Sequence, residues 1–256
     1  QQNVYACQLR VFQYWQKSSR AAFDETLDCV EKNLAENPES APMRANLAFL
    51  QVEAVRARYR IADDDLLARK QMLDEALANA NRAVQIAPAS ARAHSALGAA
   101  YMINRAFPAA VASAREALRL NRGDAELQAD LGAKLVQTGE YREGFDLLRA
   151  VIAQGGSQPP WRLIFAALAA YMLDEKGDLS RYASSLKKDE SVLSLTIQLL
   201  DAAVRRDEMA SQSLRRTLGA RTPRGPEQAV NIIADRIYNE AILNRVYSDL
   251  LSIYMN

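Results

Sequence analysis

Small and large apolar residues return in one register every thirty-four residues, and this recurrence constrains the fold more tightly than any other feature of the chain. Leu97-Gly98 returns as Leu131-Gly132 and again as Phe165-Ala166. A second set keeps the same step: Ala76, Ala110 and Gly144, then Ala80, Ala114 and Leu148, then Ala83, Ala117 and Val151. Such a period marks a supersecondary unit that cannot bury its apolar face alone and so stacks on its own copies. Within each unit a small residue lets two helix backbones approach, while the larger residue beside it fills the space between neighbouring hairpins. Gly98 and Ala110 take the small role in the most regular unit.

The units are helical. Ten glycines and eight prolines in 256 residues leave few breaks, and the abundance of alanine, leucine and arginine favours helix because these side chains lose little freedom there. No run of alternating β-branched residues reads as a strand. The expected class is all-α. Thirty-two basic against thirty-one acidic residues leave a net charge of +1, so no overall field draws the chain to nucleic acid or to an anionic membrane. The longest stretch without charged or strongly polar side chains, Leu163 to Leu173, is far short of the roughly twenty residues that cross a bilayer. Neither direct nucleic-acid binding nor membrane insertion by this segment is expected. Gln1 is not an initiator Met and opens no basic-then-apolar leader, so the chain is expected to be either processed or cut from a longer parent.

Thirty-four residues is the tetratricopeptide period, and His94, Leu97, Gly98 and Tyr101 resemble that motif's aromatic, leucine, glycine, tyrosine spacing with the first position altered. The resemblance implies a right-handed superhelix of antiparallel helix pairs closed by a helical C-terminal cap. Tetratricopeptide repeats are expected over 1–182: a degenerate first hairpin at 3–38, a repeat with an insertion at 41–88, regular repeats at 91–122 and 125–156, and the start of another at 160–182. Pro38 and Pro88 end second helices, since proline cannot continue the hydrogen-bond ladder. They stand fifty residues apart, as do Leu47 and Leu97, so sixteen extra residues fall between the two helices of the inserted repeat, around Ala57 to Lys70. The remainder, 183–256, reads as a degenerate helix pair, a break at Thr222-Pro-Arg-Gly-Pro226, and two last helices with Ile242, Leu243, Val246 and Leu250 on one apolar stripe.

Little in the chain suggests catalysis. His94 is the only histidine; it stands where the repeat expects a packed aromatic and lacks a nucleophile and an orienting partner. Asp63-Asp64-Asp65 lacks the alternating ligands, sharp glycine turn and closing glutamate of a calcium loop, and reads as solvated carboxylates before a helix start. Gly155-Gly156 before Pro159-Pro160-Trp161 follows no strand and precedes no phosphate-binding lysine, so it reads as an inter-repeat turn, with Trp161 packing at the next helix start. No metal or cofactor is expected, and the chain is not expected to be an enzyme. Cys7 and Cys29 fall on the paired helices of the first hairpin, where either a disulfide or two buried free thiols is compatible with the sequence.

First helices line the inner surface of tetratricopeptide arrays, so a protein or peptide partner is expected to meet Glu53, Arg92, Ser95, Met102, Glu126, Gln137 and Arg162. Ala45, Phe49, Ser95, Ala99, Ala129 and Ala133 stand where a clamp for chaperone-tail carboxylates would need lysine, arginine and asparagine, which argues against that ligand. A homodimer is compatible with the same surfaces. Tyr5-Ala-Cys7-Gln-Leu-Arg10 with Tyr14-Trp15, Cys29-Val-Glu31, Asn37-Pro38, Ala83-Val-Gln-Ile-Ala-Pro88, Thr138-Gly139-Glu140 and Pro160-Trp161 resemble the tetratricopeptide region of CadC-type winged-helix regulators and of some bacterial adenylate cyclases. By that resemblance the chain would be cut from a longer parent, as the C-terminal sensor or interaction half of a transcriptional regulator. It would be periplasmic when the parent spans the membrane and cytoplasmic otherwise, and a Cys7–Cys29 bridge would suit the periplasm. The alternative is a stand-alone scaffold that assembles envelope machinery.

Overall fold

The computed structural model describes residues 4–16, 19–57, 59 and 65–255. Two compact units divide inside one helix, at Leu127 and Gln128. In the first unit α1 (Val4–Gln16) pairs with α2 (Arg20–Glu36), α3 (Ala41–Ala57) with α4 (Leu66–Ile86), and α5 (Ala91–Ile103) with α6 (Phe107–Leu120). In the second, α7 (Ala125–Thr138) and α8 (Tyr141–Ala153) are followed by α9 (Pro160–Met172) and α10 (Lys176–Ser185). The pairs α11 (Val192–Val204) with α12 (Glu208–Arg221) and α13 (Pro226–Ala234) with α14 (Glu240–Met255) complete it. Each unit is thus an array of antiparallel helix pairs, in which first helices also touch one another, as α3 does α5 and α9 does α11.

The turn inside each pair is set by backbone chemistry. Arg105, Gly139, Asp174 and Arg206 all have left-handed φ angles, between 56° and 94°. The residue that follows each donates its N–H to a carbonyl five positions back: Ala106 to Tyr101, Glu140 to Leu135, Glu175 to Ala170 and Asp207 to Ala202. This is the Schellman end, which satisfies helix carbonyls otherwise left without donors. Tyr59 makes the same bond to Ala54, so α3 ends as an ordinary first helix and the extra residues of its repeat come afterwards. Asp63 and Asp64 lie outside the described residues. Asp65 caps α4, its side chain accepting from the Ala68 N–H at 2.8 Å.

A second recurring turn joins successive pairs. Asn37, Ala87, Asn121 and Thr222 each accept a hydrogen bond from the N–H three residues on, and each donates its own to a carbonyl four residues back. The Thr222-Pro-Arg-Gly225 segment therefore repeats the turn at Asn37-Pro38 and Ala87-Pro88, and α13 follows α12 as the first helix of another pair. Proline after the second-helix end removes a donor that has no partner there. At matched positions on the helices that follow, Arg44 donates to the Pro38 carbonyl at 2.7 Å and His94 Nε2 lies 2.9 Å from the Pro88 carbonyl. His94 thus ties a turn to its helix.

Packing in the first unit divides by residue size. Ala45, Ala48, Ala76, Ala80, Ala83, Ala93, Ala96 and Ala100 are essentially closed to solvent and bring α3, α4 and α5 together at short range. Under α1 and α2 the filling is bulkier, with Val11, Tyr14, Phe23, Val30, Met43 and Leu50. The Cys7 and Cys29 sulfurs are joined there, with Cα atoms 5.8 Å apart. In the second unit Gly132 and Gly144 face each other across α7 and α8. A Cβ on Gly144 would stand 2.7 Å from the Gly132 carbonyl oxygen and 2.8 Å from Val136 Cγ2.

Candidate functional site

First helices of the opening unit bring expected groove residues into one neighbourhood with two others. Arg92, at the start of α5, donates from Nε to Asn46 Oδ1 at 2.7 Å and places its guanidinium 5.4 Å from the centre of the Phe49 ring. Asn46 and Phe49 are one turn apart on α3, and Glu53 is one turn further. Burial against protein lowers the guanidinium's pKa while Asp124 opposes the shift; the residue still presents surface to solvent. An arginine keeps its charge under any such shift, so this is a fixed cation held over an aromatic face. Glu126, which stands at the position of Arg92 in the next pair, is exposed.

The other groove candidates are less open. Ser95 and Met102 are 8% and 1% exposed, and Gln137 and Arg162 are 7% and 8%. Arg162 hydrogen bonds to Gln158 at 3.1 Å and covers Trp161, its guanidinium 5.5 Å from the ring. These side chains shape the helix packing beneath the surface, whereas Arg92, Phe49, Glu53 and Glu126 offer surface a partner can touch. An open depression on α4, lined by Leu67, Lys70, Gln71, Asp74, Glu75 and Ala78, is on a second helix and is bordered by the exposed Lys70–Asp74 ion pair.

The second unit holds contacts that sequence reasoning does not foresee. Tyr171, at the end of α9, donates to Asp249 Oδ2 of α14 at 2.5 Å, and Arg245 of α14 lies 4.3 Å over the Tyr171 ring. Arg245 also reaches the α9–α10 turn, pairing with Asp174 at 2.6 Å and donating to the Met172 carbonyl at 3.4 Å. Burial, with Asp249 as second cause, raises the Tyr171 pKa, whereas Arg245 lowers that of Asp174. The 3.6-residue periodicity puts Ile242, Leu243, Val246 and Leu250 on one stripe, of which Ile242, Val246 and Leu250 are buried and Leu243 is half-buried; it carries no information on what they face.

Among the described residues no group of three or more histidine, cysteine, aspartate or glutamate side chains is arranged to hold a metal ion. No helix among them is long and apolar enough to cross a membrane.

No family model matches the chain, and no curated protein matches it either. Solved structures do. One from a functional characterisation of Pseudomonas aeruginosa PilF aligns with a TM-score of 0.63 at 18% identity, over 90% of this chain and 96% of that one. PilW, described as a widely conserved type IV pilus biogenesis factor, aligns at 0.61 and 15% identity, over 89% and 98%. A thermophilic tetratricopeptide-repeat protein of Thermus thermophilus aligns at 0.55 and 19% identity, over 77% and 97%. At these identities the likeness is one of fold. The chain has a tetratricopeptide-like, all-α fold of antiparallel helix pairs ending in a helical cap.

Proposed function

We propose that the chain is a non-enzymatic protein-interaction module that holds a partner protein or peptide on the first-helix face of its repeats and serves assembly in the cell envelope. The observation that carries the binding reading is the Arg92, Asn46 and Phe49 group, a cation fixed over a ring at the surface of the first unit. Such a group suits a partner segment with a carboxylate or backbone carbonyl beside an apolar side chain, since the fixed guanidinium loses little freedom on binding. A Cys7–Cys29 bridge fits an oxidising compartment such as the periplasm, and the fold likeness to a pilus biogenesis factor fits an assembly role. The regulatory reading rests on the resemblance of the Tyr5 to Arg10 and Cys29 to Glu31 segments to CadC-type regulators. The assembly reading has the fold likeness in addition, and we adopt it.

Photo-reactive residues placed singly at Arg92, Glu53 and Ala112 in native cells test the binding reading. Adducts with another protein from Arg92 and Glu53, and none from the exposed second-helix position Ala112, are expected. Adducts from Ala112 alone would overturn it, and a species of twice the chain mass would identify the partner as a second copy.

A further inference from the structure

A helix that merely closes the last repeat would touch its own hairpin and the one before it, but α14 touches every pair in the second unit. Asn239, at its N-terminus, accepts from the Tyr141 hydroxyl at 3.0 Å and donates to the Gln137 carbonyl at 3.3 Å, so it meets the turn between α7 and α8. Arg245 and Asp249 meet the end of α9 and the turn after it. The Ile253 carbonyl accepts from Arg215 of α12 at 2.7 Å, and α14 packs on α11 and α13 as well. Between these polar ties Ile242, Val246 and Leu250 are at most 1% exposed. These three stand at i, i+4 and i+8, the spacing of one helix face. The reverse face, with Ala241, Asn244, Tyr247 and Ser248, is open to solvent.

This is the pattern of a helix laid into a groove: apolar anchors at helical spacing, flanked by polar contacts that fix register. We propose that the first-helix face of the second unit is a receptor for an amphipathic helix and that α14 is its resident occupant. The external partner of that face is a helix of another protein with apolar residues at i, i+4 and i+8, an arginine at i+3 and a carboxylate at i+7, matching Ile242, Val246, Leu250, Arg245 and Asp249. The arginine is specified by the Tyr171 ring together with Asp174 and the Met172 carbonyl, and the carboxylate by the Tyr171 hydroxyl. An incoming helix competes with a tethered one, so binding is weak until α14 is displaced. The inference rests on the protein-interaction reading and adds the class of partner and the place where it binds.

The test uses the full chain and a fluorescent synthetic peptide of residues 238–255. Val246→Asp puts a charge on the buried stripe and leaves every groove residue in place. Its peptide affinity should exceed that of the wild type by about tenfold or more, and a peptide with Arg245→Ala and Asp249→Ala should lose that gain. If V246D retains its helical content and a cooperative melt yet binds no better than the wild type, the inference is overturned. Should V246D fail to fold, the chain is cleaved at a protease site introduced beside Tyr238. Dissociation of α14 on dilution with the remaining helices intact then supports the groove, whereas collapse of the second unit on dissociation shows α14 to be core and overturns it. Photo-adducts at Arg92 report separately on the first unit, so adducts there with no peptide binding remove this inference alone.

Discussion

Arg206 has a left-handed backbone that non-glycine residues adopt at a cost, since their Cβ crowds the carbonyl. Its side chain is exposed, so little packing is lost on its removal. Arg206→Gly should raise stability by up to about 1 kcal/mol, the relief of strain being partly offset by a more flexible unfolded chain; a rise in thermal midpoint checks it. The same turn position holds glycine once, at Gly139, and arginine or aspartate three times. That is why the turn is hard to see in the sequence: its usual marker is missing and the repeating bonds are between backbone atoms. The Cys7–Cys29 pair closes a loop of twenty-two residues, and reduction should cost the first hairpin about 3 kcal/mol. Chemical denaturation with and without reductant, read beside thiol alkylation of protein from its native host, measures this; full alkylation there would contradict the proposal of an oxidising compartment.

At the scale of elements, the helix pairs are legible because side-chain size repeats in register with them. Gly132 and Gly144 are the clearest case, since their backbones meet across α7 and α8. Gly144→Ala forces a Cβ against backbone and should cost about 1–3 kcal/mol; Gly219→Ala, where the added carbon meets nothing within 4 Å, serves as the control in the same melting assay. Less legible is the path of α14. Its apolar stripe is periodic, but its polar partners at Gln137 and Asp174 lie some 70 to 100 residues earlier, and no local pattern encodes so distant a pairing. Tyr171 reports on that docking through pH. Its folded pKa is raised, so its contribution to stability is present below the unfolded value of about 10 and is lost as pH climbs above it. Tyr171→Phe should therefore flatten the fall in stability above about pH 10. An unchanged slope in alkaline melts would show that the α9–α14 contact does not govern it.

For the molecule as a whole, a repeat fold sets the kind of function more than its object. The all-α class and tetratricopeptide-like fold follow from the thirty-four-residue register, whereas the open part of the face does not. Arg92, Glu53, Ser95, Met102, Glu126, Gln137 and Arg162 share an expected geometry, yet the structure leaves Arg92 and Glu126 exposed and closes Ser95, Met102, Gln137 and Arg162 within the packing. Burial depends on neighbours from other pairs, which single-helix periodicity does not specify. The central claim is that partners bind through the first-helix face, and amide hydrogen exchange of the full chain with and without the protein captured at Arg92 tests it most directly. Slowed exchange in α3 and α5, abolished by Arg92→Ala, is the predicted result; slowed exchange confined to α4 and α6 would contradict it.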